Sequence, residues 1–317
     1  MASENGSYRR GLILGVVSAI GYSAANLALR DLSGRHDDLG WAIWVSALKA
    51  LPTAVLALGL LFRRRFILQQ PCFPTRRAIP ALLLAALVMQ FGGNLGFQLS
   101  LGYIGLAITV PLVFAFIIGS GAVLGRTFLG DPLTPRTVVS MAVMTVSIIL
   151  LSYAATISAT TENGPLPVTT QSTTSAALTG IAVAVISGLA YGVNGVVIRR
   201  VSQRSLPIES MMIIYSTTGI VWFGFIGAYM LGSERLLQVP AQDWGMMLAA
   251  GTFNALAFYC IMHALKVMNI TQVNVINASQ NAMCAVGAVL IFAEPVSVPL
   301  VLGIGLSMVG LFVLDRR

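Results

Sequence analysis

Gln90, Asn94 and Gln98 recur at steps of four residues. At about 100° per residue they fall within about 80° on one helical face. A second set, Asn274, Asn277 and Asn281 with Gln280 beside them, occupies about 60° at the same period. Each primary amide both donates and accepts hydrogen bonds, so two such stripes suit a polar wall lining a cavity for a small polar solute. The alternative is hydrogen bonding between helices, worth about 0.6 kcal/mol per contact in a membrane. Packing needs only one or two amides, so the stripes favour the cavity. Ser18, Tyr22 and Asn26 form another polar face, and Ser187, Tyr191 and Asn194 a matching one. For these, small-residue packing at Gly11/Gly15 and Gly188/Gly192 is an equal alternative.

Lys49 lies in an apolar run, about 14 Å from its start at about 1.5 Å per residue, near the middle of a hydrocarbon core about 30 Å thick. An ammonium there needs water, carbonyl dipoles or a ligand, and the carboxylate of a substrate is one such ligand. A structural lysine satisfied by neighbouring carbonyls is the competing reading. Pro52 follows within one turn and leaves the Leu48 carbonyl without its helical donor. All eleven Asp and Glu residues fall at the ends of apolar runs or outside them. This argues against a pump for organic cations and against a buried carboxylate proton relay. His263 is the intramembrane group that titrates near neutrality, and it is the candidate for proton coupling beside a structural alternative. Ser120 with His263 suggests a membrane serine hydrolase, but no acid lies at depth to orient the imidazole. No phosphate-binding glycine loop, helical metal-binding histidine pair or acidic metal cluster occurs in the chain. Neither a cofactor nor a metal, nor ATP, is therefore expected.

These residues need elements that hold polar groups inside an apolar medium. Of the 317 residues 56% are hydrophobic and 9% charged, against roughly 25% charged in a soluble domain. Thirty charged side chains cannot cover a soluble fold of this size, so the solvent is lipid. The net charge of +8 comes from short basic clusters between apolar runs, which excludes a nucleic-acid reading. Cys72, Cys260 and Cys284 have neither disulfide nor metal spacing. Spans of about 20 residues are predicted at 11–29, 40–62, 79–101, 104–125, 136–154, 177–198, 210–231, 244–265, 270–292 and 297–314. The first is read as uncleaved.

Orientation follows from the basic residues of alternate loops. One side carries Arg9, Arg10, Arg63, Arg64, Arg65, Arg76, Arg77, Arg126, Arg136, Arg199, Arg200, Arg204, Lys266, Arg316 and Arg317. The other carries Arg30, Arg35 and Arg235. Fifteen against three predicts cytoplasmic termini. The chain also repeats: Gly11 to Arg30 aligns with Gly180 to Arg199, pairing Val16 with Val185, Ser18 with Ser187 and Tyr22 with Tyr191. Asp131-Pro132 and Glu294-Pro295 each precede the last span of a half, where an acid at the positive dipole end and a proline at the first helical position predict a cap. The halves are 1–154 and 177–317, joined by a Ser/Thr-rich linker over 155–176. Five spans per half make the second enter the membrane opposite to the first, an arrangement typical of secondary transporters.

With its two five-helix halves, the acid-proline pairs, Lys49 in the second span, Ala264-Leu265-Lys266 closing the eighth and Gly303, Gly305 and Gly310 in the last, the chain resembles the EamA-type transporters of the drug/metabolite transporter superfamily. It departs from the family pattern with Asp131 where Glu is usual and with Ser100-Leu101 in place of a clear Ala-Leu segment. The resemblance implies an all-α polytopic membrane protein of ten transmembrane helices in two inverted repeats, which exports or exchanges amino acids or related metabolites. The expected setting is the plasma (inner) membrane, with the bilayer and a small polar or amphipathic metabolite as partners and a homodimer left open. A receptor or assembly partner without transport is the rival from another class.

Overall fold

A backbone in lipid must pair its own N–H and C=O groups, and a helix does so within one segment. The computed structural model describes residues 2–33, 39–72, 78–163, 174–203, 207–292 and 296–315. Among them every regular element is helical. Helix α1 is Ala2–Ser33, and α2 is Leu39–Phe62 prolonged by a π-helical turn, Arg63–Ile67. Helix α3, Ile79–Leu87, runs through a π-helical segment, Val88–Leu95, into α4, Gly96–Leu124, which ends in a second π turn, Gly125–Leu129. Next come α5 Pro135–Asn163, α6 Thr174–Gln203, α7 Ile208–Leu237 and α8 Ala241–Val267. The last are α9 Ile270–Ala278, α10 Gln280–Phe292 and α11 Val298–Asp315.

Among the described residues nine helical stretches are long and apolar enough to cross a membrane, and Val298–Leu314 is a shorter apolar helix. The predicted break near residue 102 is helical, yet the chain turns there. Ser100 Oγ and Thr109 Oγ1 are hydrogen-bonded at 2.8 Å, whereas nine residues of straight helix rise about 13.5 Å. Helices also extend into the predicted linker, since α5 reaches Asn163 and α6 starts at Thr174. Residues 164–173 lie outside the described set, as does the Glu294-Pro295 pair.

The chain forms two compact units that cut across the sequential halves. One comprises residues 1–91 and 197–268, the other residues 92–196 and 269–317. In the first, α1 lies along α8, α2 along α7 and α8, and α3 against α7. A Cβ on Gly227 would stand 2.9 Å from the Trp44 backbone, and one on Gly251 would stand 2.8 Å from the Lys49 carbonyl. Such close approach is how helices associate in lipid, where no hydrophobic force separates them from their solvent. Trp41, Leu48, Leu231 and Met247 form the buried cluster at one end, with the Trp44 and Trp244 rings edge to face at 6.3 Å. Backbone angles leave the helical region at Gly232 (φ 74°, ψ 158°), a conformation open to glycine, and this kink falls where the seventh span was predicted to end.

In the second unit α5 lies along α11. Ser140 and Ser147 donate to the carbonyls of Gly310 and Gly303, both at 2.6 Å. On α11 Val298, Val301, Leu302, Met308 and Phe312 are each more than half exposed. Such an apolar outer face is costly in water and ordinary in lipid.

Asp131 is not the cap of the helix that follows it. That helix starts at Pro135, where Thr134 Oγ1 accepts from the Thr137 amide at 3.2 Å. The buried Asp131 instead accepts at Oδ2 from the Ile270 amide at 3.1 Å, the first residue of α9. Asn269, which precedes that helix, makes no side-chain cap of its own. An acid at the positive end of a helix dipole is thus present as expected, but on a helix 139 residues away.

Candidate functional site

In the first unit, Lys49 sits one turn before Pro52 on α2. It is partly buried and makes no hydrogen bond or ion pair with any described residue. One turn further, the buried Thr53 hydroxyl likewise has no partner there. The Pro52 ring and the Lys49 carbonyl both lie against Gly251 of α8, so this stretch of α2 is held by backbone contact while the ammonium stays unpaired. Gln90 is buried and donates from Nε2 to the Tyr215 carbonyl of α7 at 3.2 Å, with Gly219 leaving room for its amide. Tyr22 is partly buried on α1, and Asn26 on the same helix is exposed.

His263 lies apart from these residues, in the wall of a cavity of about 320 Å³ shared with Arg64, Glu209 and Lys266. Its ring packs edge to face on Tyr259, with centroids 4.4 Å apart. Its Nε2 is sealed and has no hydrogen-bond partner among the described residues.

In the second unit the Tyr191 hydroxyl donates to Asn94 Oδ1 at 2.5 Å, joining α6 to the π-helical segment. The Ser187 hydroxyl donates to the Gly93 carbonyl at 2.8 Å, and Gly92 approaches Ala190. A π-helical segment inserts an extra residue into the turn and reorients the side chains around it, and such segments recur at functional sites. Gln98 is partly buried and forms no hydrogen bond with a described residue. Asn194 is buried, and its Nδ2 donates back to the Ala190 carbonyl at 2.8 Å.

The amides of the ninth span surround a tightened turn. Helix α9 ends at Ala278 and α10 begins at Gln280, with Ser279 in a turn between them. The Ser279 amide and hydroxyl both donate to the Ile276 carbonyl, at 3.1 and 2.6 Å. Asn274 donates to the Ile117 carbonyl at 3.2 Å, where Gly121 makes room for it, and Asn281 donates to the Ala278 carbonyl at 3.1 Å. Asn277 keeps a buried Oδ1 without a partner among the described residues. Ser279 keeps helical backbone angles (φ −63°, ψ −15°), so its turn tightens the helix locally without unwinding it. Ser120 donates to the Phe116 carbonyl on its own helix at 2.5 Å, the back-bond of a packing serine.

Sequence reasoning missed the tightened turn at Ser279 and the reach of Asp131 to Ile270. The first had a signal in Asn274, Asn277, Ser279, Gln280 and Asn281, a run poor in strong helix formers. The second had none, because nothing local links the two positions.

The fold, with its apolar spans and outward-facing apolar surface, defines a multi-pass membrane protein. The model of the EamA-like transporter family matches residues 178–315. Over that stretch, somewhat less than half of its length, the chain is similar to this transporter family. One solved crystal structure of a protein is similar with a TM-score of 0.71 and 15% identity, covering 96% of each chain, a likeness that concerns the fold alone. No curated protein matches the sequence.

Proposed function

We propose that the protein is a secondary transporter that exports or exchanges a small polar, amino-acid-like metabolite across the plasma (inner) membrane. Its ten helices act as two inverted five-helix repeats with cytoplasmic termini, and alternating access moves the substrate without ATP. The observation that carries this reading is the amide-rich ninth span, where Asn274, Asn277 and Asn281 cluster about the tightened turn at Ser279 within the stretch that matches the transporter family. Amides held inside a membrane-spanning helix are polar groups that a solute pathway can use.

Lys49 serves the anionic group of the substrate. An ammonium at this depth without a described ion-pair partner is stabilised by a bound carboxylate, by water or by carbonyl dipoles. Tyr22 in the first unit, and Gln98, Asn94, Tyr191 and Asn194 in the second, are the further candidates for polar contact with the substrate, whereas Gln90 spends one donor on the Tyr215 carbonyl. His263 contributes at most weak proton coupling. The test is uptake by purified protein in sealed vesicles across a panel of amino acids and related metabolites. Flux that depends on the protein and saturates with one class of zwitterion is the expected result. Folded protein that moves none of the panel points to a receptor or assembly partner.

A further inference from the structure

The cavity that contains His263 has none of the proposed substrate-binding residues in its wall. It lies where α2 ends, α7 begins and α8 ends, and its wall includes Arg64, Gln70, Ile208, Glu209, His263 and Lys266. Arg64 and Lys266 bring two positive charges against the one carboxylate of Glu209, and the exposed Arg63 and Arg65 flank them in sequence. The Arg64–Glu209 pair is loose: Nη1 stands 3.7 Å from Oε2, beyond hydrogen-bond length. Arg64 is aimed by a different contact, from Nε to the Pro71 carbonyl at 2.9 Å, and its terminal nitrogens make no short bond with a described residue. Lys266 has no ion-pair or hydrogen-bond partner among the described residues.

Basic side chains at the ends of α2 and α8 would complement the helix dipoles without any cavity. That account does not explain a hollow of about 320 Å³, within the range of about 300–1,000 Å³ typical of ligand pockets. Next to these charges in sequence stand Phe62, Phe66, Ile67 and Val267, all exposed, with the Phe62 and Phe66 rings in contact at 4.6 Å. A cationic hollow whose charged residues have exposed apolar neighbours in sequence matches a ligand with an anionic head and hydrocarbon tails.

We propose that this cavity binds the phosphate of an anionic phospholipid headgroup, with Arg64 and Lys266 as its charge partners and Phe62, Phe66 and Ile67 against the acyl chains. Basic pockets between helix ends select anionic lipids through the same Coulomb attraction. The site is independent of the substrate proposed above.

Native mass spectrometry of the full-length protein, titrated with short-chain phosphatidylglycerol or phosphatidylcholine, tests it. Wild-type protein retains phosphatidylglycerol in preference to phosphatidylcholine. Arg64→Gln and Lys266→Gln each weaken that retention about five-fold, as expected for the loss of one basic charge near a membrane surface. Glu209→Gln removes the competing carboxylate and tightens retention by about the same factor, a gain that misfolding cannot imitate. Equal retention of the two lipids, or Glu209→Gln without a gain, overturns the proposal. Displacement of phosphatidylglycerol by inorganic phosphate at equal concentration overturns the lipid assignment and gives the site to a soluble phosphate.

Discussion

At the scale of single residues, Lys49 and the Asn94–Tyr191 pair separate recognition of a substrate from packing. Lys49→Met keeps the side-chain length and removes the charge. Loss of one charge-assisted contact lowers apparent affinity for a zwitterionic substrate roughly ten- to hundred-fold. Lys49→Arg retains part of it, because the charge stays while the geometry changes. Concentration-dependent uptake reads both; an unchanged apparent affinity in Lys49→Met contradicts the role, and equal losses for neutral and charged substrates mark a structural lysine. Tyr191→Phe removes the hydroxyl that donates to Asn94 at 2.5 Å. As a packing contact alone it costs about 0.6 kcal/mol in unfolding free energy. As part of a substrate-facing surface it also raises the KM for transport, so stability and KM measured on the same variant distinguish the two. Gln90 shows why residue type and period left this choice open. Its place in the stripe is plain in the sequence, but its donation to the Tyr215 carbonyl depends on how α7 packs beside it.

At the scale of elements, the ninth span is a helix with a tightened turn at Ser279, and the amides of its first turn need partners. Asp131 caps the first at Ile270 from another part of the chain. Asp131→Ala leaves that amide unpaired and loses about 1 kcal/mol, as helix caps do. Hydrogen exchange should quicken first at the amides that open α9, and exchange unchanged there while the whole protein destabilises argues against the cap. Ser279→Ala removes the hydroxyl bond to the Ile276 carbonyl and favours a regular helix by about 0.5 kcal/mol of propensity. Slower transport at unchanged or higher stability is the expected outcome, and unaltered transport would mean that the tightened turn is not used.

The long apolar runs were legible because about 20 residues of hydropathy are a local property, and the seventh span ends where expected because Gly232 lies beside the boundary. Likewise, the turn between the third and fourth spans was legible in placement but not in form, since its backbone stays helical while Ser100 meets Thr109. The partner of Asp131 was not legible, because a cap supplied across 139 residues leaves no local pattern.

At the scale of the whole molecule, the account rests on alternating helix direction. The cavity at Arg64, Glu209 and Lys266 brings together the ends of α2 and α8 and the start of α7, the grouping that alternation requires. Single cysteines at positions 10, 165 and 317 test the topology proposed from the basic residues. Labelling of 10 and 317 from the cytoplasm and of 165 from the opposite side fits ten spans, whereas 165 labelled from the same side as the termini means an even number of spans in each half and contradicts the count. Counterflow in proteoliposomes bears most directly on the central claim of transport by alternating access. Vesicles loaded with an unlabelled zwitterionic amino acid should accumulate the labelled form from outside, transiently and without ATP, and Lys49→Met should reach the same accumulation only at roughly ten- to hundred-fold higher substrate. No accumulation by folded, inserted protein across the amino-acid and metabolite panel would contradict the account.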